Sequence, residues 1–114
     1  KMAETIPFKE WQKLDIRVAK IKAVEPHPNA DKLLVLKVDI GGEERQIVAG
    51  IRGHYTEKEL KGKKIIMLTN LEPAALRGVK SDGMLLAAVS GEGKEQKVIL
   101  LVPEKDIKEG TKVQ

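Results

Sequence analysis

The sequence predicts an all-β domain, a small closed barrel of five strands with one short helix and added strand at its C-terminal end. Three observations point there. Apolar residues alternate or run on in six stretches of strand length, separated by residues that favour turns. Gly41-Gly42 lies between two of these stretches, the signature of a tight hairpin whose positive φ glycine supplies. The first stretch is long and its apolar phase slips partway, as in a strand that bends to close a barrel.

Taken in order, residues 7–14 (PFKEWQKL) read as a helical turn with Phe8 and Trp11 on one face, expected to plug one end of the core. The opening Lys ahead of Met2 reads as a frayed start and as the cut end of something longer. From Leu14 a strand carries Ile16 and Val18 on one face. Ile21 and Ala23 then take over the apolar side, which places a bulge near Ala19 or Lys20. Residues 24–32 (VEPHPNADK) hold Pro26, Pro28, Asn29 and Asp31 and read as a loop. Strands over 33–40 and 43–49 flank the Gly41-Gly42 hairpin. Thr56 with Glu59 three positions on forms a capping box at the head of a short helix that Gly62 ends. Residues 64–71 and 84–89 read as apolar strands buried on both faces or at the barrel's closure. A polar turn over 90–97 then leads to a sixth strand over 98–102, stopped by Pro103.

Three strands, a short helix and two strands is the order of the OB-fold, a Greek-key barrel whose first and last inter-strand loops flank an oligonucleotide-binding face. Here those loops are 24–32 and 70–83, the most irregular and basic connections. The organisation expected is an N-terminal segment over 1–13, the barrel over 14–90 and a C-terminal extension over 91–114. An added strand needs something to cover, and a partner subunit is the natural candidate.

Composition narrows the function. With 114 residues, 41% hydrophobic and 33% charged, the chain has room for one core and the balance of a globular protein. No apolar run nears the roughly 20 residues of a membrane helix and no signal-peptide pattern opens the chain, so a cytoplasmic, non-membrane protein is expected. Cysteine is absent, and His27, flanked by prolines, lacks a second ligand nearby; no metal and no cofactor are expected. A nucleophile with its base, a G-x-S-x-G elbow and a phosphate-cradling G-x-x-x-x-G-K-[ST] are all missing, which argues against an enzyme. The net charge of +4 suits a polyanion. Phe8, Trp11 and Tyr55 are too few to stack unpaired bases, so a nucleic acid would be met through its backbone and shape.

The stretch 71–88 (LEPAALRGVKSDGMLLAA) is a basic, glycine-punctuated loop at the mouth of an apolar strand, suited to holding cations against phosphate. Arg77 and Lys80 bracket Gly78 and can project from one tight turn. Lys32 stands at a strand mouth and is placed for the same task. Arg17 is either a phosphate contact or a solvated residue paired with Asp15. Asn29 and Asp31 fit turn formation. Ser81 either donates to a phosphate or steadies the turn, and Met84 either packs beneath a base or joins the core. Lys61, Lys63 and Lys64 read as a wet helix end.

The motifs LDIRVAKI, VEPHPNADKLLVLKVDIG, RQIVAGI, HYTEKELKGKKI and NLEPAALRGVKSDGMLLAA, in that order, resemble the tRNA-binding module appended to many methionyl-tRNA synthetases. The same module occurs in stand-alone tRNA-binding proteins and in the endothelial-monocyte-activating polypeptide group. HYTEKELKGKKI is closer to the synthetase type. In a related secretion-chaperone-like family the loop matching HPNADKLL departs from this pattern. The resemblance implies a non-catalytic OB-fold that binds tRNA by shape with little regard to sequence, raises a synthetase's affinity for tRNA and forms a homodimer. It implies Arg17, Asn29, Lys32, Arg77, Lys80, Ser81 and Met84 as RNA-binding residues. The alternatives are a stand-alone tRNA-binding protein and a protein-interaction or chaperone-like dimer.

Overall fold

The computed structural model describes residues 2–114. Its elements are α1 (Phe8–Trp11), β1 (Ile16–Pro26), β2 (Leu34–Asp39), β3 (Glu44–Ala49), α2 (Glu57–Leu60) and β4 (Lys64–Leu68). Short strands follow: β5 (Ala74–Leu76), β6 (Val79–Ser81), β7 (Met84–Leu85), β8 (Ala87–Ser90), β9 (Lys97–Leu100) and β10 (Lys112–Val113). The main sheet runs β3-β2-β1-β4-β7, all antiparallel, with β10 on β1. The Asp82 N–H donates to the Gln46 carbonyl at 2.8 Å, which brings the chain after β6 against β3 and nearly closes a five-stranded barrel. The all-β, OB-like architecture expected from the sequence is the one observed.

β1 makes this closure feasible by serving two neighbours. Residues 16–20 pair with β4 and residues 20–26 with β2, and the β2 register shifts between Ile21 and Ala23. The bulge therefore sits at Lys22, beyond the expected Ala19 or Lys20. The phase was hard to place because β1 is buried on both faces here: Ile16 and Val18 on one, Ala19 and Ile21 on the other. Ala19 and Ile21 belong to the central cluster, whereas Ala23 is exposed.

The core is aliphatic, built on Ile21, Leu34, Leu36, Ile47, Ile65 and Met67. Leu60 of α2 is fully buried among them, and the Thr56–Glu59 capping box holds the helix's first turn as its sequence demands. Phe8 and Trp11 do not plug the core. Phe8 is 69% exposed and Trp11 half-buried, because α1 is a four-residue turn on the outside of the barrel. The aromatic residue that does pack against the core is Tyr55.

Two further differences bear on function. The loop expected over 70–83 is itself folded into the hairpin β5–β6. The strand expected over 84–89 divides at Leu86: β7 stays on β4, while β8 leaves to pair with β9 as a two-stranded ribbon. The last residues return to the barrel. Val18 donates to the Thr111 carbonyl and Gly110 to the Val18 carbonyl, and Lys64, expected as a wet helix end, holds Asp106 at 2.8 Å and Glu109 at 3.5 Å.

Candidate nucleic-acid interface

The loop between β1 and β2 and the β5–β6 hairpin meet at one end of the barrel. His27, only 4% exposed, joins them. Its Nδ1 accepts from the Asn29 N–H at 2.9 Å, so the ring proton belongs on Nε2, which donates to the Leu76 carbonyl at 2.8 Å. The ring is thus part of the loop structure, as its setting between prolines suggested.

Directly after Leu76 the chain turns. Leu76 pairs with Val79, leaving Arg77 (φ +52°) and Gly78 (φ +87°) as the two central residues of a hairpin with both φ positive. That conformation suits glycine and asparagine; for arginine it is strained by order 1 kcal/mol or more. The turn carries Arg77 into a cleft with Asn29, Asp31 and Lys32. Lys32, Arg77 and Lys80 are exposed and enter no ion pair among the described residues. Unpaired cations carried by two hydrogen-bonded loops present a charged rim with little structural reason of its own.

Behind the rim a polar row crosses the outer face of the sheet. Lys37 and Gln46 are cross-strand partners on β2 and β3. Lys37 Nζ donates to Gln46 Oε1 at 2.7 Å, and Gln46 Nε2 donates to the Lys80 carbonyl at 2.8 Å. Both ends of the amide are used, which fixes its orientation. Sequence reading gave Lys37 no role; strand alternation, which puts it opposite the core residues Leu36 and Val38, was the available signal.

Other expected residues are placed differently. Arg17 lies toward the other end of β1, where its Nε donates to both Asp15 carboxylate oxygens at 3.0 and 3.1 Å. It lines a separate hollow with Asp39, Lys108 and Glu109, in which two cations face two carboxylates. Ser81 is 6% exposed, and its hydroxyl accepts from the Val48 N–H at 2.9 Å and donates to the Gly83 carbonyl. Its only proton is spent inside the fold. Met84 is 46% exposed and outside the core, although a methionine leading an apolar strand is usually buried. No group of three or more His, Cys, Asp or Glu arranged for a metal occurs among the described residues.

Arg45 of β3 is a further cation to which the sequence assigned no role. Its Nη1 donates to the Thr69 carbonyl at 2.9 Å, and it pairs with Glu43 and Asp82. Glu43 first, then the carboxylate of Asp82, holds its guanidinium more firmly charged. It is occupied in tying strands together, unlike the rim cations.

Fold and rim together define an OB-type binding barrel. The chain belongs to the tRNA-binding domain family: the family described as "Putative tRNA binding domain" matches residues 16–112. It is similar to the methionine-tRNA ligase of Pyrococcus furiosus, 52% identical over 108 residues, covering 95% of this chain and 14% of that protein. With the methionine-tRNA ligase of Thermococcus kodakarensis the identity is 50% over 113 residues, covering 99% and 15%. The chain thus spans about one-seventh of the length of these relatives. Among solved structures, the MetRS related protein from Pyrococcus horikoshii is 37% identical with a TM-score of 0.86, covering 98% of this chain and 100% of that one. The chaperone CsaA from Bacillus anthracis str. Ames is 28% identical with a TM-score of 0.85, covering 97% and 100%. No described helix is long and apolar enough to cross a membrane.

Proposed function

We propose that this chain binds folded tRNA by shape, with little regard to sequence, as a non-catalytic cytoplasmic module of the kind carried by methionine-tRNA ligases, and that it raises the affinity of the catalytic part for tRNA. The observation that carries this reading is the shared cleft of Lys32 and Arg77, which gives two loops one docking face. Lys32, Arg77 and Lys80 neutralise phosphates, Asn29 contacts the backbone beside them, and the footprint extends toward exposed Met84 and partly exposed Arg17, which would exchange Asp15 for a phosphate. Ser81 acts by seating Lys80, since its hydroxyl is already bonded. With about four to six phosphates engaged, log K falls with log salt at a slope of roughly −3 to −5. Titration of the chain with several tRNAs, a duplex RNA and a single-stranded RNA at two salt concentrations tests it. Equal, salt-insensitive binding to all three RNA classes refutes it.

Dimerisation is part of the proposal. Ile99 of β9 is exposed and shares its ribbon face with exposed Ala88, its partner on β8; Val89, and Leu101 and Val102 just beyond β9, are exposed as well. A two-stranded ribbon with an uncovered aliphatic face suits a second copy of the same chain.

A second reading draws on the likeness to the chaperone CsaA, whose fold matches this chain as well as the MetRS related protein does. In it the dimer binds unfolded peptide. Peptide held through apolar surface withstands salt that strips tRNA, so competition between the two ligands at rising salt separates the readings.

A further inference from the structure

We infer that His27 is a positioning residue for RNA binding, clamping the β5–β6 hairpin to the β1–β2 loop so that Arg77 and Lys32 meet one RNA as a unit. The inference rests on the tRNA reading above and concerns how that rim is held. Among the described residues the Nε2 bond to the Leu76 carbonyl is the one hydrogen bond between the two segments. It falls on the residue directly before Arg77. The hairpin has little else to steady it: its strands are three residues each and β5 is exposed throughout. At its far end Lys80 and Ser81 are tied to β3 through Gln46 and Val48. The turn itself depends on the imidazole.

The ring has two separable tasks. Nδ1 serves the local turn by accepting from Asn29, and Nε2 serves the link between loops. Phosphates on a folded RNA stand at set spacings, so cations on two independently moving loops bind less well than the same cations held together.

The test exploits the two tasks. His27→Asn keeps an acceptor near Nδ1 for Asn29 and is too short to reach Leu76. His27→Gln places an amide N–H near the position of Nε2. Affinity for tRNA and its salt slope are measured for both variants, alone and combined with Arg77→Ala and Lys80→Ala, with thermal unfolding of each.

We expect H27N to weaken binding about tenfold, the worth of one charge-assisted contact, and to flatten the salt slope by about 1. H27Q should stay within about threefold of the native chain, on the same conversion of free energy to affinity. Added to R77A/K80A, H27N should change binding little, because the clamp acts through those cations.

Native affinity and slope in H27N overturn the inference. So does a full further loss in the R77A/K80A background. Should H27N fail to fold, H27Q decides: native binding supports the clamp, and weakened binding at unchanged thermal stability overturns it. The underlying reading fails separately, when R77A/K80A binds tRNA as tightly as the native chain.

Discussion

The Nε2 of His27 lies 2.8 Å from the carbonyl oxygen of Leu76, 49 residues further along the chain. Both residues are uncharged partners in that bond, yet they determine where the charges of the rim stand. Lys32 follows His27 within the same loop, and Arg77 follows Leu76 directly. The imidazole end of this link is buried while Leu76 is exposed, so the cost of breaking it falls on the ring N–H, which loses its partner with little access to water.

Arg77 separates turn strain from charge. Asparagine tolerates the positive φ that Arg77 adopts, so Arg77→Asn should leave stability unchanged or raise it by about 0.5 kcal/mol while weakening every tRNA alike. Thermal unfolding beside gel-shift titration checks this. Reduced stability with native affinity would remove Arg77 from the interface.

Ser81→Ala should act on the fold. The Val48 N–H loses its buried acceptor, which costs about 1–3 kcal/mol. Urea denaturation measures the loss. Binding by the fraction still folded should remain close to native, and selective loss of tRNA affinity at native stability would instead place the hydroxyl on the RNA.

Acid should loosen the barrel mouth. Thr69 Oγ1 donates to Asp15 Oδ2 at 2.6 Å, and this bond, with that of Arg17, holds the carboxyl below the usual carboxylate range. The unfolded chain therefore takes up this proton first. The stabilisation is complete above about pH 4 and is lost as pH falls through the lower folded value. Asp15→Asn should lower stability at neutral pH and make the decline below about pH 4 shallower, read from urea midpoints across that range. An unchanged acid limb would show that the network contributes nothing.

The C-terminal return depends on glycine. A Cβ on Gly110 would stand 2.7 Å from Gly41 Cα and 2.9 Å from the Ile40 carbonyl, and its φ of +91° disfavours any side chain. Gly110→Ala should destabilise by about 1–3 kcal/mol and release the Val18 amide, bonded to Thr111, to faster hydrogen exchange. Protection equal to native would mean the tail accommodates the methyl.

For the dimer, a charge on the ribbon is a cleaner test than deletion. Cutting the chain after Ser90 would remove Leu100, which is buried in the core. Ile99→Glu leaves Leu100 in place and puts a carboxylate on the exposed face. Sedimentation should show a dimer for the native chain and a monomer for the variant. A dimer of undiminished stability would move the contact elsewhere.

Several features were legible because their causes are local. The Gly41-Gly42 hairpin, the Thr56–Glu59 capping box and the strand periods each depend on residues within a few positions. The β5–β6 hairpin escaped notice because its turn places Arg77 where asparagine or glycine is the usual signal. β10 escaped because two residues carry no period. Phe8 and Trp11 share a helical face, but spacing does not tell which side of a short turn meets the core.

An all-β barrel opening with three strands and a short helix could be read from the sequence, since apolar periodicity and turn chemistry are written in neighbouring residues, and the order of its motifs carried the resemblance to the family. Which cations remain free follows from the closed fold. Arg17 is taken by Asp15, Lys64 by Asp106, and the Ser81 proton by the Gly83 carbonyl, while Lys32 and Arg77 share a cleft with no ion pair among the described residues. A charge's partner is set by how the sheet closes and how each strand turns its side chains, and closure brings Lys64 to Asp106 and Lys32 to Arg77 across stretches that no local pattern connects.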